Sequence, residues 1–332
     1  MKPKNTYPLQ LTVLVMALLF VLQSCGNEIP GSWKNDEIKT GKRDDFHKLN
    51  EQLFKALKNK DIVEAKSMMS KELVEGTYST SRAVDLIGNY LTDNKYNLLD
   101  EYYVVNKYKD FDTIKAKNTG VNSYDLYYPA TAREMYFAFY VPESGNNRYI
   151  ITTVYAKYSY GWKVSTLEVS PYTVNGKTAP ELFKLAKEQF DKKYIINARN
   201  NMALAVTCLK PTSIWQYPEE GEIIDFNGKV ITEAKEKCKF PIMINLPTRP
   251  MVLQVYTKEN AEGTFPMVYY MTHINIKDTN EVKQENIQIK KILSKALPGI
   301  DKDNKYVYYE AFNRFPNSSV SVDRFYMVDK FK

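Results

Sequence analysis

Phe46, Leu49, Leu53, Phe54 and Leu57 recur at intervals of three, four and seven, the stripe of an amphipathic helix. The polar run 59–61 interrupts it before Ile62, Ala65, Met68 and Met69 resume, so two successive helices are expected. Ser79, Thr80 and Ser81 offer caps for a third, with Ala83, Val84, Ile87, Tyr90 and Leu91 turned inward. The period then changes to two. Segments 102–108, 123–128, 133–141, 148–157 and 162–169 read as strands rich in Tyr, Val and Ile, and Tyr160 with Gly161 marks a tight turn before the last. Helices followed by antiparallel strands predict an α+β unit with helices against a curved sheet.

The second half opens on Thr178 and Glu181, spaced as a capping box in which each side chain satisfies a free backbone donor. Leu182, Leu185, Ala186, Ala198, Met202 and Ala205 carry helical packing as far as Pro211, in either one bridging helix or a hairpin. Beyond it, 229–239 reads as a polar helix, and 241–245, 252–257, 266–277, 306–312 and 324–328 as strands. A helix with Ile287, Ile289, Ile292, Leu293 and Leu297 falls between the third and fourth of these, giving a second α+β unit. Pro247 and Pro250 bracket Arg249 in a loop.

At the other end of the chain, 1–10 carries Lys2 and Lys4 without an acid, and 11–22 is apolar apart from Thr12. That is the charged and apolar pattern of an export signal, and its apolar run is too short for the roughly 20 residues that span a bilayer as a helix. Leu22, Gln23, Ser24 and Cys25 follow, a tetrad that resembles the lipobox of bacterial lipoproteins. The resemblance implies cleavage before Cys25, diacylation of its thiol and acylation of the new amine; two or three acyl chains anchor stably where one does not. Gly26 stands where enterobacterial lipoproteins retained in the inner membrane carry Asp, so the implied address is the outer membrane of a Gram-negative bacterium.

The order of three helices and a sheet, with Asn59, Lys60, Asp61 and Ile62 between the first two helices and Gly161, Trp162, Lys163 and Val164 opening the last strand, resembles the NTF2-like (cystatin-like cone) superfamily over 44–175. Residues 179–210 resemble one helical hairpin of the tetratricopeptide family. The expected organisation is a signal peptide over 1–24 and a lipid-anchored flexible tether over 25–43. An NTF2-like α+β domain then spans 44–175, a helical hairpin or bridging helix 178–211, and a C-terminal α+β domain 212–332.

The net charge is +7, and the lysine-dominated basic set is interleaved with acids in the manner of solvated faces. Nucleic-acid readers concentrate Arg for bidentate contacts, so no nucleic-acid partner is expected. His47 and His273 are the only histidines, which limits any histidine base to one of two positions. Neither zinc-ligand clusters nor calcium-loop spacing occurs in the sequence, and no cofactor is expected. Gly176, Lys177 and Thr178 copy the end of a phosphate-binding loop, but Pro171 occupies its first glycine position. Nucleophile-elbow and dinucleotide motifs are missing too.

A non-catalytic binding or assembly role follows as the expectation, with the membrane reached through the N-terminal lipid and an envelope protein or glycan as partner. The alternatives are a surface glycan-binding lipoprotein, or an NTF2-like enzyme with Tyr102, Tyr136 and Asp125 in its cone. Tyrosine is unusually abundant, 26 against 15 phenylalanines, and often occurs in adjacent pairs. Neighbours on a strand point to opposite faces, so one of each pair is expected outside the core, where an amphipathic ring suits interfaces and sugar stacking. Trp162, Tyr136 and Tyr155 are the candidate surface for ligand or partner. In an exported protein Cys208 and Cys238 are free to form a disulfide, the alternative being two unpaired thiols.

Overall fold

A computed structural model of the chain describes residues 29–76, 80–93, 95–115, 119–316 and 322–331. The signal peptide, Cys25 and the first part of the expected tether lie outside them. From Gly31 the tether expectation is corrected. β1 (Gly31–Lys34) pairs antiparallel with β2 (Tyr96–Val105), and a 3-10 turn at Asn35–Glu37 leads into α1 (Thr40–Lys58). Trp33 stacks on Tyr103 with ring centroids 5.6 Å apart, and Ile38 is buried. A strand that docks mainly through backbone hydrogen bonds leaves no apolar period for a sequence reading to find.

Two short helices follow, α2 (Ile62–Ser67) and α3 (Lys71–Glu75), started by side-chain caps from Asp61 and Ser70. The third expected helix is α4 (Thr80–Asp93). Added at Gly88, a Cβ would stand 2.4 Å from the Leu57 carbonyl oxygen, so α4 passes α1 at a distance open only to glycine.

The remaining strands of the first half are β3 (Phe111–Lys115), β4 (Asp125–Pro129), β5 (Glu134–Pro142), β6 (Arg148–Tyr158) and β7 (Gly161–Thr173). The main sheet runs β1-β2-β5-β6-β7, antiparallel throughout. Phe46, Leu53, Leu57, Val84 and Ile87 of α1 and α4 pack on one face with Tyr103, Tyr136 and Tyr155. The opposite face, with Tyr102, Phe137, Phe139 and Val154, is covered by β4 and by two further helices, α5 (Ala179–Asp191) and α6 (Ile195–Thr207). Tyr102 and Tyr103 are consequently both buried, as are Tyr308 and Tyr309, against the expectation that one ring of each pair lies outside.

Helices α5 and α6 turn back on each other through 192–194, so the hairpin alternative holds over a single bridging helix. The expected capping box is formed, with the Thr178 N–H donating to Glu181 Oε2. A short strand, β8 (Trp215–Gln216), joins β4 to complete a sheet of order β3-β4-β8, and α7 (Glu220–Lys237) begins well ahead of residue 229. Ile223, Val230 and Ala234 of α7 belong to the same buried cluster as the first sheet.

The second sheet has the order β13-β12-β11-β10-β9, from β9 (Ile242–Met243), β10 (Met251–Asn260), β11 (Gly263–Met271), β12 (Tyr306–Phe312) and β13 (Arg324–Lys330). Its β11 and β12 are parallel, joined by a crossover containing α8 (Thr279–Ala296). Ile289 and Leu293 of α8 cover one face with Val268, Tyr270, Val307 and Tyr309. β11 stops at Met271, short of the expected 277, because Asn313 donates to the carbonyls of Thr272 and Ile274 and folds the chain into a bend. His273 is therefore exposed on that bend and not on a strand. The architecture is mixed α+β. Among the described residues no helix is long and apolar enough to cross a membrane.

Cys208 and Cys238 are free thiols, which corrects the disulfide alternative. Cys208 closes α6 inside the first cluster, whereas Cys238 closes α7 and packs against that of the second sheet. Burial pushes the Cys208 thiol up to about 12.

Candidate functional site

Tyr136 and Tyr155, expected on a ligand-facing surface, are 0% and 1% exposed. The Phe46 ring lies on Tyr136 at 4.0 Å and 8°, and half-buried Trp162 meets Phe46 edge-on at 4.9 Å. Tyr155 donates to Asn50 Oδ1 at 3.3 Å. These three residues hold α1 to the sheet, so the surface assignment is corrected. For Tyr136 and Tyr155 it failed because β5 and β6 are central strands covered on both faces, whereas Trp162, on the edge strand β7, stays half-buried. Tyr102, Tyr136 and Asp125 do not converge either: the two rings lie on opposite faces, and Asp125 is paired with Lys115.

Two carboxylates missing from the expected site lie at a bulge in β2, Asp100 on one face and Glu101 on the other. Asp100 accepts from Asn35 at 3.0 Å and Tyr124 at 2.5 Å, and pairs with Lys34 at 2.9 Å. Glu101 Oε2 accepts from the Tyr136 hydroxyl at 2.6 Å and meets His47 Nε2 at 2.9 Å, while Oε1 is 3.5 Å from Arg43 Nε. Burial, with neighbouring Tyr140 and Glu101 next, drives the Tyr136 hydroxyl far above the ordinary tyrosine range. A carboxylate, a tyrosine and a histidine in mutual reach are a proton-transfer set. Here both oxygens of Asp100 and Oε2 of Glu101 are taken by hydrogen bonds within the chain, Arg43 stands by Glu101 Oε1, and what they achieve is to fasten 34–47 to β2. An acid pair inside an otherwise apolar strand, Leu98 to Val105, is the sequence signal that would have found them.

The outer face of the second sheet, away from α8, presents a different arrangement. Alternate residues of four strands place Tyr256 against Tyr269 at 4.8 Å, Tyr269 against Phe312 at 5.3 Å, Tyr306 against Tyr308 at 6.0 Å and Tyr308 against Tyr326 at 5.6 Å. Tyr256 and Tyr326 are 45% and 42% exposed. Lys258 Nζ lies 5.2 Å from the Tyr326 ring centre. Glu310 occupies the middle of this face, in register with Tyr269 on one side and Tyr326 on the other. Its residue is only 3% exposed, its Oε2 accepts no hydrogen bond, and Arg324 Nη1 is 3.6 Å from that oxygen. Burial, followed by the charge and hydrogen bond of Glu310, raises the Tyr269 hydroxyl. One carboxylate in the otherwise uncharged strand 306–312 was a legible signal; that its neighbours are rings from the two adjacent strands was not.

Chemically, this face offers the exposed parts of Tyr256 and Tyr326 for C–H groups and the Arg324 guanidinium beside Glu310 for hydroxyl acceptors. Among the described residues no group of His, Cys, Asp and Glu is placed to hold a metal ion. No family model, curated protein or solved structure matches the chain.

Proposed function

We propose that this protein is a non-catalytic, lipid-anchored component of the cell envelope that binds carbohydrate through the outer face of its second sheet. The observation that carries this reading is a pair of half-exposed rings, Tyr256 and Tyr326, each at one end of a string of stacked aromatic side chains on either side of Glu310, whose carboxylate is paired with Arg324. The half-exposed rings would take the pyranose faces, while the exposed Arg324 guanidinium beside Glu310 would donate to sugar hydroxyls. The first unit acts as the scaffold, with an NTF2-like order of helices ahead of a curled sheet.

Affinity electrophoresis of the full chain through gels of soluble polysaccharides tests the carbohydrate reading. A bound polysaccharide is expected to retard the protein, and Tyr256→Ala with Tyr326→Ala is expected to weaken retention roughly tenfold, since each lost ring contact is worth about 0.5–1.5 kcal/mol. Unchanged retention in the double variant would sink the idea, as would release of an envelope protein that occupies this face.

The anchor is tested separately. Cys25→Ala is expected to leave the protein unacylated and to move it out of the membrane fraction on cell fractionation. Full membrane retention without the thiol would show that the lipobox resemblance is coincidental.

A further inference from the structure

Between α6, α7 and β10 lies a half-open groove of about 780 Å³ whose lining includes Arg199, Lys235 and Lys239 but no acid. None of these three cations makes a hydrogen bond or ion pair with another described residue, while the neighbouring Glu233 is already taken by Lys237. The groove is also apolar: Val206 and Ile231 are exposed on its walls, and Ala203 and Phe240 complete them.

Charge and apolar surface are separated along it. Arg199, in the first half of α6, lines the groove together with Cys238, the residue that ends α7. Lys235 and Lys239 are at that same end. Val206 is two turns further along α6, roughly 10 Å at 1.5 Å per residue, and Ile231 is a turn or more back along α7 from the cations. One end thus gathers unpaired positive charge and the other exposes branched aliphatic side chains.

We propose that this groove binds an amphiphilic anion, a molecule with one anionic head and one alkyl chain, with the head at Arg199, Lys235 and Lys239 and the chain toward Val206 and Ile231. The volume falls in the range of roughly 300–1,000 Å³ typical of small-molecule sites. Exposed apolar surface beside unpaired cations suits a ligand that desolvates the first while neutralising the second. The groove adjoins the tyrosine face, since Gln254 of its lining accepts from the Tyr256 hydroxyl at 3.0 Å, but the argument from its cations does not depend on the carbohydrate reading.

Cys238 lines the groove and reports its occupancy, whereas Cys208 is buried and serves as the internal control. The full chain, held in phosphatidylcholine nanodiscs, is treated with N-ethylmaleimide and followed by intact mass. Octyl phosphate or octanoate is expected to slow modification of Cys238 roughly fivefold or more at a few times its dissociation constant. The better protector identifies the head group. Octanol and inorganic phosphate at the same concentrations are expected to protect little. In Lys235→Glu/Lys239→Glu, an exposed pair whose replacement leaves the core untouched, affinity for the better amphiphile is expected to fall roughly tenfold or more. Equal protection by octanol would reduce the site to an apolar cleft, and equal protection by inorganic phosphate would reduce it to an anion patch. Either result overturns the proposal, as does absence of protection or an unchanged affinity in the double variant.

Discussion

Replacing Glu101 by alanine is expected to lower the thermal unfolding midpoint by on the order of 10 °C. The residue is buried, and its carboxylate serves Tyr136, His47 and Arg43 together. Alanine removes the shared acceptor and leaves the buried Tyr136 hydroxyl without it, while Arg43 keeps Asp36. Breaking a buried charge network from one side costs about 3–5 kcal/mol, and each kcal/mol moves the midpoint by roughly 2–4 °C in a chain of this size class. Glu101→Gln keeps an acceptor for Tyr136 and loses only the charge, so its midpoint should fall between alanine and the native protein. Thermal unfolding followed by circular dichroism on the full chain separates the three. An alanine midpoint within about 2 °C of the native one would show that the network contributes little, as many ion pairs do.

Trp215→Ala is expected to cost a similar amount for a different reason. Trp215 is fully buried, stacked on Tyr124 at 3.5 Å, with Phe139 and Tyr172 edge-on at 5.5 and 6.1 Å. Its backbone pairs with Leu126 of β4. Emptying such a site costs about 3–5 kcal/mol, the lost transfer free energy plus the cavity left behind. The ring joins the cluster shared by the first sheet and α5 to α7, so the loss should destabilise both together. Urea unfolding read through the remaining Trp33 and Trp162 should show the midpoint displaced as one transition. A loss below about 1 kcal/mol would mean that the site collapses around the missing ring.

These two residues show where a linear reading stops. The helices near 46–57, 62–67 and 83–91 were legible because their apolar positions repeat with the helical period, and the strands 134–142 and 148–158 because tyrosine, valine and isoleucine accumulate there. β1 and β8 were not, since each is a few residues long and docks by pairing with a strand distant in sequence. Trp215 thereby places the start of the expected C-terminal unit inside the core of the first half. Periodicity within a segment reports that it has an apolar face; it holds no information about which other segment covers that face.

The candidate site divides the same way. Composition by itself identified tyrosine as the distinctive residue, and the residue pattern by itself determined the alternation of helix and strand that makes the chain α+β. Whether a given ring is core or surface was decided only by the tertiary structure. Tyr136 and Tyr155 are interior because helices cover one side of their sheet and β4 with α5 and α6 the other. Tyr256 and Tyr326 remain half exposed on the face opposite α8. Alternation along a strand specifies two faces, and burial depends on what each face meets; that is set by long-range packing, a property of pairs of elements and not of either sequence alone.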